Sequence, residues 1–145
     1  MRVVLQVVDR ASVEVNNKVV GNINKGYLLL VGVFEEDDEE NAIKIAEKIA
    51  KLRVFPDSNG KTNLSLKEVG GSILSVSQFT LCADLKGSNR PSFSNAAIRE
   101  KAVKLYELFN ETLNKLGFKV EKGVFGEDMK VELVNNGPFT LVVEN

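Results

Sequence analysis

The sequence predicts an α+β fold, a mostly antiparallel β-sheet curled toward a barrel with two main helices. Three observations predict it. Strand-like segments crowd the first 33 residues and return after residue 117. Two stretches, 37–52 and 94–116, carry apolar residues at helical spacing. No repeat, low-complexity tract or Pro/Gly/Ser-rich linker interrupts the 145 residues, so one domain, 1–145, with a single sizeable core is expected.

The elements follow in order. "RVVLQVV" and "ASVEV" are β-branched and partly alternating, which predicts two strands. "NNKVVGNI" supplies a turn and a third strand, and the unbroken apolar run "GYLLLVGV" suits a fourth, buried one. Asp37, with Glu40 three places on, has the form of a capping box. Behind it Ala42, Ile45, Ala46, Ile49 and Leu52 share one helical face, with Lys48 and Lys51 in the last turn, where the helix dipole favours cations. "RVFPDSNGKTN" reads as a short strand entering a turn-rich loop, and "GGSILSVSQFTL" as the next strong strand. "CADLKGSNRPSFSN" has no periodicity and is long enough for a functional loop. A second helix is predicted from an N-cap near Ser94, with Ile98, Ala102, Leu105, Phe109, Leu113 and Leu116 on one stripe and Gly117 ending it. "FKVEKGVF", "MKVELVN" and "FTLVVEN" read as three closing strands.

Composition removes whole classes of chemistry. With no histidine, Ser-His-Asp and Cys-His machinery and the usual zinc sites are excluded. The single cysteine, Cys82, leaves no internal disulfide and no CxxC motif. A hydrolase built on this chain takes its base from a carboxylate, a lysine, water or the substrate. The longest apolar run is too short to cross a bilayer, and the N-terminus alternates too soon for a signal peptide, so a cytoplasmic protein with no membrane partner is expected. Net charge is −1, but residues 86–122 hold eight Lys/Arg against four Asp/Glu, and the rest of the chain 11 against 16. Such a stretch suits a phosphate backbone, or simply a solvated helix face.

Three segments are candidates for chemistry. In "SQFTL", strand alternation places Leu74, Val76, Gln78 and Thr80 on one face, turning polar beside the long loop. That pattern fits a site or the solvent end of a strand. In "LKGSNRPSF", Lys86 and Arg90 could hold phosphate and Phe93 could stack on a base, or the loop is merely polar and Phe93 folds inward. "NNGPFT" carries a hairpin dipeptide followed by Pro138, which has no N–H for a ladder. It is either an awkward turn or a rigid backbone surface free of side chains.

Taken together, "SQFTL", "KGSNRPSF" and "NNGPFT", with the opening "MRVVLQVVDRASVEV" and "GVFGEDM" before the last strands, resemble the D-aminoacyl-tRNA deacylase family over essentially residues 1–145. The resemblance implies the deacylase fold and a homodimer with active sites at the subunit interface. It implies hydrolysis of the ester between a D-amino acid, or glycine mischarged on tRNA(Ala), and the 3′-terminal adenosine of tRNA. It places Thr80 at the reacting centre with Gln78 beside it, and Ser77, Phe79, Lys86, Phe93, Phe125 and Met129 in substrate binding. It matches Gly137 and Pro138 to a cis-Gly-Pro motif that enters the partner's pocket and excludes L-amino acids. No cofactor is implied. The chain departs from the family pattern at Val7, where an arginine is usual, and at Cys82, where an aromatic is usual. With no histidine to activate Thr80, the ribose 2′-OH of the substrate is the expected source of assistance.

Overall fold

The computed structural model describes residues 1–145. In chain order the elements are β1 (Arg2–Val15), β2 (Lys18–Ile23), β3 (Gly26–Gly32), α1 (Glu39–Lys51), β4 (Arg53–Pro56), β5 (Thr62–Ser65), β6 (Ser72–Ser77), a 3-10 turn (Phe79–Cys82), α2 (Arg99–Lys115), β7 (Val120–Lys122) and β8 (Lys130–Glu144). The α+β class with a curled sheet and two main helices is as expected from sequence.

β1 is the spine. One of its edges pairs first with β3, from Arg2↔Gly32 to Val8↔Gly26, and then with β2, from Ala11↔Ile23 to Val15↔Lys18. Its other edge pairs with β8 along nearly the whole length. These pairs are antiparallel, whereas β3–β6 and β6–β7 are parallel. The Gly21 position approaches the Lys122 carbonyl, which brings β2 near β7 and curls the sheet toward closure. Asn16 and Asn17, at φ 49 and 62, form the two-residue turn that joins β1 to β2.

The unbroken apolar run of β3 is explained by two cores. Tyr27, Leu29 and Val31 point toward α1 and α2, where they meet Ile45, Ile49, Leu105 and Phe109. Leu28 points the other way, to Val8, Val13, Leu74 and Val76 on the opposite face. At Gly26 the backbones of β3 and β6 meet so closely that a Cβ would overlap the Ser72 carbonyl.

Five details differ from expectation. The first 33 residues form three strands, because "RVVLQVV" and "ASVEV" are one strand, β1. The helix cap is Asp38 with Asn41, because Asp37 is buried and its carboxylate takes the Phe34 N–H (2.7 Å) and the Met1 amino group. β5 begins in the last two residues of the predicted loop and runs on to Ser65. α2 starts at Arg99 with Ile98 as its cap, because residues 95–98 are engaged beside 33–35: Ala97 N–H donates to the Val33 carbonyl (3.0 Å) and Glu35 N–H to that of Asn95 (2.9 Å). Gly117, at φ +95, ends α2 as expected, and Phe118 N–H closes back on the Leu113 carbonyl.

The fifth difference lies at the C-terminus. "FKVEKGVF" yields only the short β7, while "MKVELVN" and "FTLVVEN" are halves of one strand, β8. Against β1, Asn135 pairs with Val8 and Thr140 with Gln6. Asn136, Gly137, Pro138 and Phe139 therefore stand opposite Val7 alone, as an extruded bulge. The Gly137–Pro138 peptide is cis, and Gly137 has φ +125.

Candidate active site

A cleft of about 510 Å³ opens where β3 and β6 end and α2 begins. Its floor is apolar, with Val31, Val33, Val76 and Val131, and Ser77, Gln78 and Phe79 form one wall. Phe125 and Met129 face it, and Arg99, Glu127 and Asp128 bring charge. A groove of similar size, about 540 Å³, lies elsewhere, lined by polar side chains including Arg10, Lys25 and Lys119. It contains none of the candidate residues and lacks an apolar floor, so the first cleft is the candidate active site.

Strand geometry ends at Ser77, so the predicted alternation of faces through Thr80 does not occur. Gln78 is still tied to β3, its N–H donating to the Val31 carbonyl at 2.8 Å. The chain then winds into the 3-10 turn, whose first bond runs from Leu81 N–H to the Gln78 carbonyl (3.2 Å). The N–H groups of Phe79 and Thr80 precede that bond and lack partners within the turn. Arg2 secures the turn from β1 by donating from Nη1 to the Leu81 carbonyl (2.6 Å).

The turn also brings Gln78 and Thr80 together, Gln78 Nε2 donating to Thr80 Oγ1 at 2.5 Å. This is the one side-chain hydrogen bond of Thr80, so no carboxylate or lysine is in place to take its proton. Cys82 is no substitute nucleophile. It is 1% exposed, its thiol donates to the Val33 carbonyl (3.3 Å), and burial, aided by the Asp37 carboxylate, pushes its pKa up to about 11.

The remaining candidates fall into two groups. Ser77, Gln78, Phe79, Phe125 and Met129 line the cleft. Thr80, Lys86, Phe93, Gly137 and Pro138 do not. Thr80 is held at the cleft edge through Gln78. Phe93 packs edge-to-face on Phe79 at 4.9 Å, both rings partly open to solvent, so it is a neighbour of the cleft wall. Lys86 sits with Arg90 on an exposed hairpin tip closed by the Asp84–Ser92 backbone pair. Gly137 and Pro138 project from β8, exposed, and line neither of the two clefts. At the base of that bulge Asn136 Nδ2 donates to Asp9 Oδ1 (2.8 Å), and Val7 is buried beneath it.

The basic stretch is smaller than its count. Lys101, Lys104, Lys119 and Lys122 pair with Glu35, Glu39, Glu121 and Glu107. Lys86, Arg90, Arg99 and Lys115 form no ion pair. Sequence reading missed Arg99, Glu127 and Asp128. The missed signal for Arg99 was the true start of α2, which turns its first residue toward the cleft.

Comparison with known proteins shows the family and the fold. Residues 4–144 match the family model described as D-Tyr-tRNA(Tyr) deacylase. The chain is 58% identical to a D-aminoacyl-tRNA deacylase of Lactobacillus delbrueckii subsp. bulgaricus over 144 residues, covering 99% of each chain. It is 53% identical to one from Bacillus cytotoxicus, covering 100% of this chain and 99% of that one. Among solved structures, a c-Myc DNA unwinding element binding protein superposes with a TM-score of 0.93 at 36% identity, covering 100% and 99% of the two chains. A probable eukaryotic D-amino acid tRNA deacylase shares the fold, with a TM-score of 0.87 at 19% identity over 99% and 98%.

Proposed function

The chain belongs to the D-Tyr-tRNA(Tyr) deacylase family, and we propose that it hydrolyses the ester joining a D-amino acid, or glycine mischarged on tRNA(Ala), to the 3′-terminal adenosine of tRNA. The observation that carries this function is the cleft itself. It joins an apolar floor, the Ser77–Phe79 wall and the Gln78–Thr80 pair at one edge, in a chain without histidine. Purified protein is expected to release D-tyrosine from D-Tyr-tRNA in a cytoplasm-like buffer. Tight binding of uncharged tRNA with no release would point instead to an RNA-binding module.

The chemistry is substrate-assisted. The ribose 2′-OH, adjacent to the ester, activates water or stabilises the departing 3′ oxygen. Ser77, Gln78 and Phe79 position the aminoacyl end, and the backbone N–H groups of Phe79 and Thr80 face the developing oxyanion. Orientation of this kind is worth on the order of 7–11 kcal/mol in the best intramolecular cases. The absence of any base at Thr80 Oγ1 supports this version over nucleophilic attack by the hydroxyl. Thr80→Ala is therefore expected to retain measurable turnover, with kcat reduced by roughly 10- to 100-fold through lost positioning. A variant that binds tRNA normally yet shows no turnover at all would establish Thr80 as the nucleophile.

Selectivity is steric and requires a second copy. The Gly137–Pro138 bulge is exposed and stands apart from its own cleft. In a homodimer it enters the partner's cleft and sets a wall of backbone where an L side chain would point. Hydrogen fits there, so D-residues and glycine are accepted with little dependence on side-chain identity. Phe93, packed on the cleft wall, and Lys86, on the exposed hairpin tip, serve the tRNA end on the solvent side.

A further inference from the structure

Arg99 is the single cation in the cleft. Its guanidinium carbon lies 5.6 Å from the centroid of the Phe125 ring, and Nη2 reaches the Phe125 carbonyl at 3.5 Å. It occupies the space that a side chain at residue 126 would fill, and the residue there is Gly126, at φ +80. Phe125 is fixed in turn, its ring tilted against Tyr106 at 5.8 Å, and the Tyr106 hydroxyl donates to the Ser75 carbonyl (2.9 Å) in the core. A chain of packed groups thus runs from the core to the guanidinium.

The charge on Arg99 is not spent. Its neighbours along α2, Lys101 and Lys104, are paired with Glu35 and Glu39. Arg99 has no carboxylate within ion-pair distance, although Glu127 and Asp128 line the same cleft. A guanidinium laid on an aromatic face keeps most of its five donors free and presents them in a planar fork, the geometry that suits phosphate oxygens. The proposed substrate end carries one phosphate on the 5′ side of its terminal adenosine and one ammonium on the amino acid. A cleft with one guanidinium and two carboxylates offers a counter-charge to each.

We propose that Arg99 binds the phosphodiester linking the terminal adenosine of the substrate to the preceding nucleotide. The assignment rests on the deacylase function above and adds to it the group that registers the nucleic acid in the cleft.

The test compares D-Tyr-tRNA with the D-tyrosyl ester of adenosine, which has no phosphate. Arg99→Met keeps an apolar cover on Phe125 without charge, and Arg99→Lys keeps the charge without the fork. Arg99→Met is expected to raise KM for D-Tyr-tRNA roughly tenfold, with kcat within about twofold and the adenosine ester unaffected. Arg99→Lys is expected to recover part of the loss. Equal losses on both substrates would reduce Arg99 to a packing role and overturn the assignment, as would no loss on D-Tyr-tRNA. Failure of the unaltered protein to hydrolyse D-Tyr-tRNA would overturn the underlying function instead.

Discussion

Gly137→Ala is expected to lower hydrolysis of D-Tyr-, D-Asp- and Gly-tRNA together while leaving the fold intact. At φ +125 a Cβ would stand 2.9 Å from the Phe139 backbone N, so the bulge must shift to accept it. A non-glycine residue in such a conformation costs about 1–3 kcal/mol. If the shifted backbone is felt fully in the transition state, that is roughly a 5- to 150-fold loss in kcat/KM. Gly137 and its neighbour Pro138 are exposed and outside both cores, so the melting temperature should move by only a few degrees. A loss shared by all three substrates is the signature of a backbone wall, since a side-chain pocket would affect them unequally. Undiminished activity on all three would remove this backbone from the account.

Gly26→Ala should do the reverse, harming the fold at a distance from the chemistry. The added Cβ would lie 1.8 Å from the Ser72 carbonyl oxygen and 2.8 Å from Ser72 N. Both are backbone atoms, and Ser72 is further held by its N–H bond to the Lys25 carbonyl (3.1 Å). Neither strand can yield without opening the first pairs of β3 and β6, Gly26↔Ser72 and Tyr27↔Ile73. A cost of roughly 3–5 kcal/mol is expected, among the largest for a single substitution. For a domain with about 5–15 kcal/mol in total, that is a large share. Urea denaturation reads it directly, and a loss below about 1 kcal/mol would contradict the close approach of the two strands.

Much of the fold was legible in sequence because its signals are local. The apolar run of β3 announces burial on two faces, the stripe Ala42–Ile49 announces α1, and Gly117 ends α2 as glycine does at helix ends. The errors fall where a distant partner decides. Asp37 was a plausible cap until Phe34 and Met1 claimed its carboxylate. Ser94 was a plausible helix start until 33–35 drew residues 95–98 into extended pairing. The continuity of β8 through a proline depends on β1, against which Asn136–Phe139 can be extruded as a unit.

The site divides in the same way. Gln78 and Thr80 were placed by a strand-face rule that fails, since the chain turns at Phe79, yet that turn is what joins them. They were singled out by the family resemblance and not by spacing. Arg99 belongs to no motif and was visible only once the start of α2 was known. Residue 7, where the family resemblance implies an arginine, is the buried Val7, and the contact at the base of the bulge is the Asn136–Asp9 hydrogen bond, from two polar residues that sequence alone gave no reason to pair.

The proposed enzyme is this cleft completed by the Gly137–Pro138 backbone of a second copy, hydrolysing aminoacyl-tRNA according to the hand of the amino acid. The most direct test is release of tyrosine from D-Tyr-tRNA and from L-Tyr-tRNA, matched in tRNA and protein concentration. Rapid release from the D ester, with the L ester no faster than in buffer, is the predicted result. Comparable release from both, or none from the D ester, would contradict it.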